Sequence, residues 1–186
     1  MAKLIYSTIV SLDCFVEDSD GAFDWAEPNE EVFAFINQFE RTIGTYLYGR
    51  RMYETMVYWE THVADVNQTG VENEFAEIWR AATKIVYSDT LTSPSSGRTS
   101  IEREFHAASI FRMKETEPRD ISIAGAELAS HALSAGLVDE VHLFLMPIVV
   151  GAGKPAFRND EHVALELLEA RQFASGQMYL RYAVVK

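Results

Sequence analysis

Residues 120–157 read DISIAGAELASHALSAGLVDEVHLFLMPIVVGAGKPAF. They spell strand, tight turn, helix, stop and second strand, in that order. Ile121 and Ile123 flank Ser122 in a short β-branched run. Gly125 permits backbone conformations that a Cβ resists. From Ala126 onward, Leu128, Ala129, Ala132 and Leu133 recur at helical spacing. Gly136 then serves as the residue that ends a helix in a left-handed turn. Residues 141–150 are apolar almost throughout apart from His142, the pattern of a central strand buried on both faces. Pro147 cannot donate to a ladder, so this strand is expected to meet an edge or bulge there. Gly151-Ala152-Gly153 makes the next turn. A glycine turn at a helix start leaves free N–H groups that can hold a phosphate. The same turn also suits an ordinary strand-to-helix connection, and it lacks the three-glycine dinucleotide fingerprint.

Outward from this segment, residues 3–10 form a β-rich run and 11–24 an acidic loop. Asn29 is placed to cap a helix reaching Gln38, with Val32, Phe33, Ile36 and Phe39 on one face. Short strands are expected at 45–48 and 84–87, and helices at 50–56, 65–82 and 102–114. The Ser/Thr-rich stretch 91–99 reads as a loop. Residues 163–173 and 178–185 look like a closing antiparallel pair turning at Ser175-Gly176. Strands alternate with helices until the last three strands, which predicts an α/β sheet, mostly parallel, with an antiparallel edge. No repeat or linker divides the chain, so residues 1–186 are expected to form one domain.

The 186 residues include 48% hydrophobic and 24% charged positions, the balance of a globular protein with a substantial core. Against 28 Asp and Glu stand 16 Lys and Arg, a net charge of -12. Such a surface repels phosphate backbones and anionic lipid, so neither nucleic acid nor a membrane is expected as a general partner. An anionic ligand needs a local cluster of positive groups. Cys14 is the only cysteine, which fits a reducing compartment. The opening MAKLIYSTIV reads as a strand rather than a leader, so the expected location is the cytoplasm.

Several constellations carry possible chemistry. Gly49-Arg50-Arg51 follows a strand, and arginine forks bind phosphate in bidentate fashion. The competing reading is surface charge offsetting Glu54 and Glu60. Ser88-Asp89-Thr90 sits at a strand's carboxyl end, where open α/β sheets bind ligands, although Ser and Asp also favour turns. Gly151-Ala152-Gly153-Lys154 reads as a turn, because Pro155 blocks the helix that a phosphate-binding loop requires. Asp13, just beyond the first strand, is the candidate for proton transfer or for anchoring a substrate amine. Trp25, Phe33 and Trp59 are candidates for an aromatic pocket around a planar substrate. His62, His106, His131, His142 and His162 form no metal-binding spacing, and no metal is expected. His142 reads as a hydrogen-bonded core residue and Cys14 as an inert thiol.

Along the chain stand a strand ending in SLD, then strand-YGRRMYE, strand-SDT, and AGAEL-helix-GLVDE-strand-P-GAGKPAF. Taken together, this order resembles the dihydrofolate reductase-like superfamily. Within it, the likeness is to the C-terminal reductase domain of bifunctional riboflavin-biosynthesis deaminase-reductases, in its small stand-alone members. The resemblance covers nearly the whole chain. It implies a twisted, mostly parallel eight-stranded sheet with an antiparallel C-terminal edge and flanking helices. It also implies an NADPH-dependent reductase whose cofactor lies across the carboxyl ends of the strands. Gly49, Arg50 and Arg51 match the family's GRxxYE motif, with the arginines on the cofactor phosphates, including the 2′-phosphate. Ser88 is implied near the adenosine. Gly125, Ala126, Glu127 and Leu128 match the GGxxL turn, whose backbone holds the pyrophosphate.

Two departures stand out. Ala124 replaces the first glycine of that turn. The acidic residue that dihydrofolate reductases carry on their first helix matches Glu30 by distance from Trp25, while counting back from Gly49 gives Phe33. Folate is therefore not the expected substrate, and no zinc deaminase motif is present. Trp25, Glu30 and Phe33 are the substrate-binding candidates. The expected reaction is hydride transfer from NADPH to a C=N or C=O group of a small pyrimidine- or pterin-like heterocycle. The alternative is a non-catalytic nucleotide-binding or dimeric module that keeps the fold. A homodimer is expected in either case. The substrate pocket is expected in the loops 13–25 and 59–70.

Overall fold

Each β-rich run becomes a strand, and eight of the strands share one sheet. The computed structural model describes residues 1–61, 70–158 and 162–186. The strands are β1 (Leu4–Ser11), β2 (Phe15–Asp18), β3 (Ile43–Gly49), β4 (Thr83–Tyr87), β5 (Thr99–Glu102), β6 (Asp120–Ala124), β7 (Glu140–Met146), β8 (Gly153–Pro155), β9 (Leu165–Gln172) and β10 (Met178–Val184). The helices are α1 (Glu30–Glu40), α2 (Arg50–Met56), α3 (Tyr58–Thr61), α4 (Gly70–Ala81), α5 (Ala107–Thr116) and α6 (Ala126–Ser134). The main sheet has the order β5-β4-β3-β6-β1-β7-β10-β9. Pairing is parallel from β5 through β7, and antiparallel where β10 meets β7 and β9. β2 and β8 form a separate antiparallel ribbon.

Alternation along each strand sorts the side chains between two layers. Leu4, Tyr6, Leu47, Ile121, Ile123, Val141 and Leu143 turn toward Ile110 of α5 and toward Leu128, Ala129, Ala132 and Leu133 of α6. Ile5, Tyr46, Tyr48, Ala124 and Phe144 turn toward Val32 and Ile36 of α1 and Phe75 and Trp79 of α4. Cover on both faces explains why the central strands read as continuous apolar runs.

The helix ends follow their sequence signals. The Asn29 side chain accepts from the Val32 N–H at 3.0 Å and starts α1. Gly136, at φ +66°, ends α6. Leu137 N bonds Ala132 O at 3.0 Å and Gly136 N bonds Leu133 O at 2.9 Å, the paired bonds of a Schellman motif. His142 is the expected hydrogen-bonded core residue, between Glu140 Oε2 and the Tyr179 hydroxyl, each at 3.0 Å.

Three elements differ from the sequence reading. The acidic stretch 11–24 contains β2. Residues 99–102 form edge strand β5 beside β4, so the following helix begins at Ala107 rather than at 102. β7 stops at Met146, because Pro147 has no N–H to extend the ladder. His62 and the 65–69 part of the helix expected over 65–82 lie outside the described residues, as does most of the loop 59–70. Among the described residues no helix is long and apolar enough to cross a membrane.

Candidate active site

Two helices begin side by side at neighbouring strand ends. β3 ends in Gly49 and leads into α2, while β6 ends in Ala124 and passes through Gly125 into α6. In the ladder Tyr48 lies beside Ala124. Neither glycine supplies a side-chain cap, so the leading N–H groups of both helices lack one. Gly125 has φ +96°, where a side chain is strained, and a Cβ there would lie 3.9 Å from Gly49 N. The two turns thus abut.

They border a cleft of about 960 Å³ over the α1–α4 face of the sheet. Ser7, Ile9, Tyr46, Tyr48, Ser122 and Phe144 form its floor. Phe33, Ile36 and Glu40 of α1 cover it, with Trp59 and Phe75 at the side. The rim carries Glu17, Asp24, Glu27 and Glu54, opposed by Arg51 and Lys154. The Phe33 and Trp59 rings stand 5.9 Å apart, which makes an aromatic wall.

The cationic side of the rim is organised by the β2–β8 ribbon. Arg51 directs two guanidinium nitrogens at the two carboxylate oxygens of Glu17, each at 3.3 Å. Glu17 is in register with Lys154. A Cβ on Gly153 would fall 2.0 Å from the Glu17 carbonyl oxygen, so only glycine lets β8 lie this close to β2. That close approach sets Lys154 on the rim, an assignment the turn reading of 151–154 did not provide.

The inner end of the cleft is polar. Glu40 is buried, and its Oε2 accepts from the Tyr46 hydroxyl at 2.7 Å. Burial pushes the Glu40 carboxyl up to about 7, while the Tyr46 bond works in the opposite direction. The Tyr46 and Tyr48 rings stack with centroids 5.5 Å apart and planes within 7°. The Tyr48 oxygen in turn accepts from Trp79 Nε1 at 3.2 Å.

Of the residues expected from sequence, Arg51, Gly125, Ala126 and Phe33 line this cleft. Gly49 sits against Gly125 at its border. Arg50 lies 3.8 Å from Glu54, one helical turn on, with both side chains about half exposed. Ser88 Oγ accepts from Leu91 N at 3.0 Å and closes its own turn, away from the cleft. The Glu127 side chain is exposed, 3.9 Å from the Lys154 ammonium, and Leu128 is packed into the core below α6, so neither lines the cleft. Trp25 and Glu30 stand at the entrance segment and the start of α1 without lining the cleft.

Asp13, expected to transfer a proton or anchor a substrate amine, stands off the cleft. Its carboxylate accepts from Val150 N at 3.2 Å and Gly151 N at 2.8 Å, and it does not line the cleft. Desolvation works against its charge, but hydrogen bonds from Ser11, Gly151 and Val150 prevail and hold the carboxyl below its ordinary value. It fastens the turn at 150–151 to the end of β1.

Sequence reasoning missed Glu40, Tyr46, Ser122, Glu17 and Lys154. One signal was available: Phe33, Ile36 and Glu40 share a helix face, so a carboxylate stood on the buried stripe.

Comparison with known proteins agrees with this architecture. The Bacillus subtilis (strain 168) protein YyaP is 28% identical over 184 residues, covering 97% of this chain and 94% of its own. A pyrimidine reductase-like protein from Corynebacterium diphtheriae superposes with a TM-score of 0.71 at 15% identity, covering 100% of this chain and 92% of its own. Dihydrofolate reductase from Enterococcus faecalis, complexed with NADP(H) and RAB-propyl, gives 0.64 at 14% identity, over 99% of this chain and 97% of its own. The fold is therefore the one seen in dihydrofolate reductase. Residues 2–179 match the RibD C-terminal domain, and the chain belongs to that family.

Proposed function

We propose that this protein is an NADPH-dependent reductase acting on a C=N or C=O group of a small planar heterocycle. The observation that carries this reading is the pair of helix starts without side-chain caps, abutting at the ends of β3 and β6 on a cleft rimmed by Arg51 and Lys154. Free N–H groups and cations on one side of an otherwise acidic rim fit a dinucleotide's phosphates. The family and the fold point the same way. Bound there, the cofactor supplies hydride; everything else falls to the chain.

The N–H groups from Gly125 and Ala126 onward hold the pyrophosphate. Arg51, after releasing Glu17, takes a phosphate oxygen pair, and Arg50 reaches the outer phosphate from the next position of α2. Phe33, Trp59 and Phe144 give flat walls that align a planar ring and exclude water. Ala124, where the resemblance implies a glycine, is buried at the end of β6 just before this turn.

Titrating NADPH against tryptophan fluorescence is expected to give saturable quenching, weaker for NADH and at least tenfold weaker for Arg51→Ala. Absence of saturable binding overturns the reading. Binding without oxidation of NADPH by any pyrimidine, pterin or simple carbonyl acceptor instead marks a non-catalytic nucleotide-binding module. We further propose a homodimer formed through edge strand β9, which exposes Leu165, Leu167 and Leu168. Sedimentation of Leu167→Lys against the wild type checks it, a monomeric variant being the expected result.

A further inference from the structure

The cleft reaches further than a dinucleotide's phosphates require, and its inner end carries a carboxyl that the fold does not need. Glu40 ends α1 and lies under the helix, over the middle of β3 rather than at the strand ends. Tyr46 is the sole hydrogen-bond partner of its side chain among the described residues, so Oε1 is left unbonded while the residue lines the cleft. Ser122 and Ser7 line the same floor; Ser122 lies beside Tyr46 in the ladder.

A carboxyl buried only to accept one phenol bond is a poor structural choice, since an apolar or amide side chain avoids the desolvation cost. The other acids are differently engaged. Glu17 faces Arg51, Asp24, Glu27 and Glu54 belong to the open rim, and buried Glu140 is held by Lys3 and His142 outside the cleft.

We propose that Glu40, steadied by Tyr46, is the proton donor of this cleft and meets the nitrogen or oxygen atom of the double bond being reduced. The inference rests on the reductase reading above. The bookkeeping is simple. Hydride adds to the carbon of the C=N or C=O bond, and the π pair moves onto the nitrogen or oxygen. The Glu40 O–H bond breaks to deliver its proton to that atom. The nicotinamide is left oxidised, and Glu40 is left as a carboxylate that regains a proton from water in the open cleft.

The protonation state suits the role, because burial keeps the carboxyl half-protonated at about pH 7. The titratable groups around it are Tyr46 and Tyr48 of β3, both pushed up by burial and so neutral, with the positive charge of Arg119, just before β6, acting on Tyr46 in the opposite direction. Glu40 is thereby the group facing the inner cleft that changes charge near neutrality.

The test needs no knowledge of the physiological substrate. Uracil, a planar ring with two carbonyl acceptors and one charge state between pH 6 and 8, is the calorimetric probe. The wild type is expected to bind it about tenfold more weakly at pH 8 than at pH 6, following the protonated fraction of Glu40. Glu40→Gln, which keeps a donor that cannot ionise, is expected to bind without pH dependence. Tyr46→Phe removes the bond that favours the carboxylate and is expected to move the midpoint upward. An infrared band of a protonated carboxyl, titrating near pH 7 and missing from Glu40→Gln, gives a readout free of any ligand.

NADPH binding is measured on the same three proteins and is expected to change less than threefold. Uracil binding that is flat with pH in the wild type, or equally pH-dependent in Glu40→Gln, overturns the inference. So does NADPH binding without any uracil binding. Failure of the wild type to bind NADPH overturns the reductase reading itself, and this inference with it.

Discussion

The two faces of the sheet are built from the same strands and serve different ends. On the α5–α6 face, β1, β3, β6 and β7 present Leu4, Tyr6, Leu47, Ile121, Ile123, Val141 and Leu143, close-packed on Leu and Ala of α6. One residue along each strand, the α1–α4 face presents Tyr46, Tyr48, Ser122, His142 and Phe144, with Glu40 and a cleft between them and the helix. A period of two lets one strand build a dry core on one side and a polar floor on the other. The first face holds the molecule together. The second gives up packing for a solvent-connected site whose buried polar groups cost stability.

The largest test of this contrast compares adjacent residues of β6. Ile121→Ala is expected to lose about 3 kcal/mol in urea unfolding, as large-to-small changes in a packed core do. Ser122→Ala, on the cleft face, is expected to lose less than about 1 kcal/mol. Equal losses would mean that the two faces do not divide the work.

The next effect is a pH dependence carried by Glu40. Its folded value of about 7 lies above the ordinary 4.5. Between these limits the folded state binds more protons than the unfolded state, so stability is full below pH 4.5 and falls as pH rises to 7. The loss attributable to this group is up to about 3 kcal/mol. Denaturation curves of Glu40→Gln are expected to lack that component and to exceed the wild type in stability above pH 7.

A smaller effect is expected at the helix start. Gly125→Ala places a Cβ at φ +96°, costing about 1–2 kcal/mol and weakening NADPH binding at least tenfold by calorimetry. The smallest is Ala124→Gly, which restores the family's turn. It is expected to lose about 0.5–1 kcal/mol of stability through backbone entropy. A gain of a few-fold in NADPH affinity on the same protein would identify the methyl as an obstruction.

Legibility in the sequence followed the range of the forces involved. The strand-turn-helix of 120–136 was readable because each step has a local cause: β-branched residues, a glycine at positive φ, helical spacing and a Schellman stop. The parallel-to-antiparallel change followed from element order alone. Strand β5 was not readable, because Thr-Ser-Ile-Glu carries little hydrophobic signal and takes its order from the neighbouring β4. For the site, Arg51, Gly125, Ala126 and Phe33 fall on the cleft, since their positions lie at strand ends or on the covering helix. The place of Asp13 off the cleft was not legible, because its carboxylate is engaged by two amides 137 and 138 residues away. Glu40 was missed because its environment is created by Tyr46 and by a cleft that exists only once α1 docks.

The Arg51–Glu17 pair also determines how the site responds to ionic strength. A phosphate arriving at Arg51 exchanges one carboxylate contact for another anionic contact. Dissolved salt screens both the contact that is broken and the one that forms. The salt dependence of dinucleotide binding should therefore be shallower than a count of rim cations suggests. Lys154, in register with Glu17 across the β2–β8 ribbon and 3.9 Å from Glu127, keeps a second cation on the same rim through the exchange.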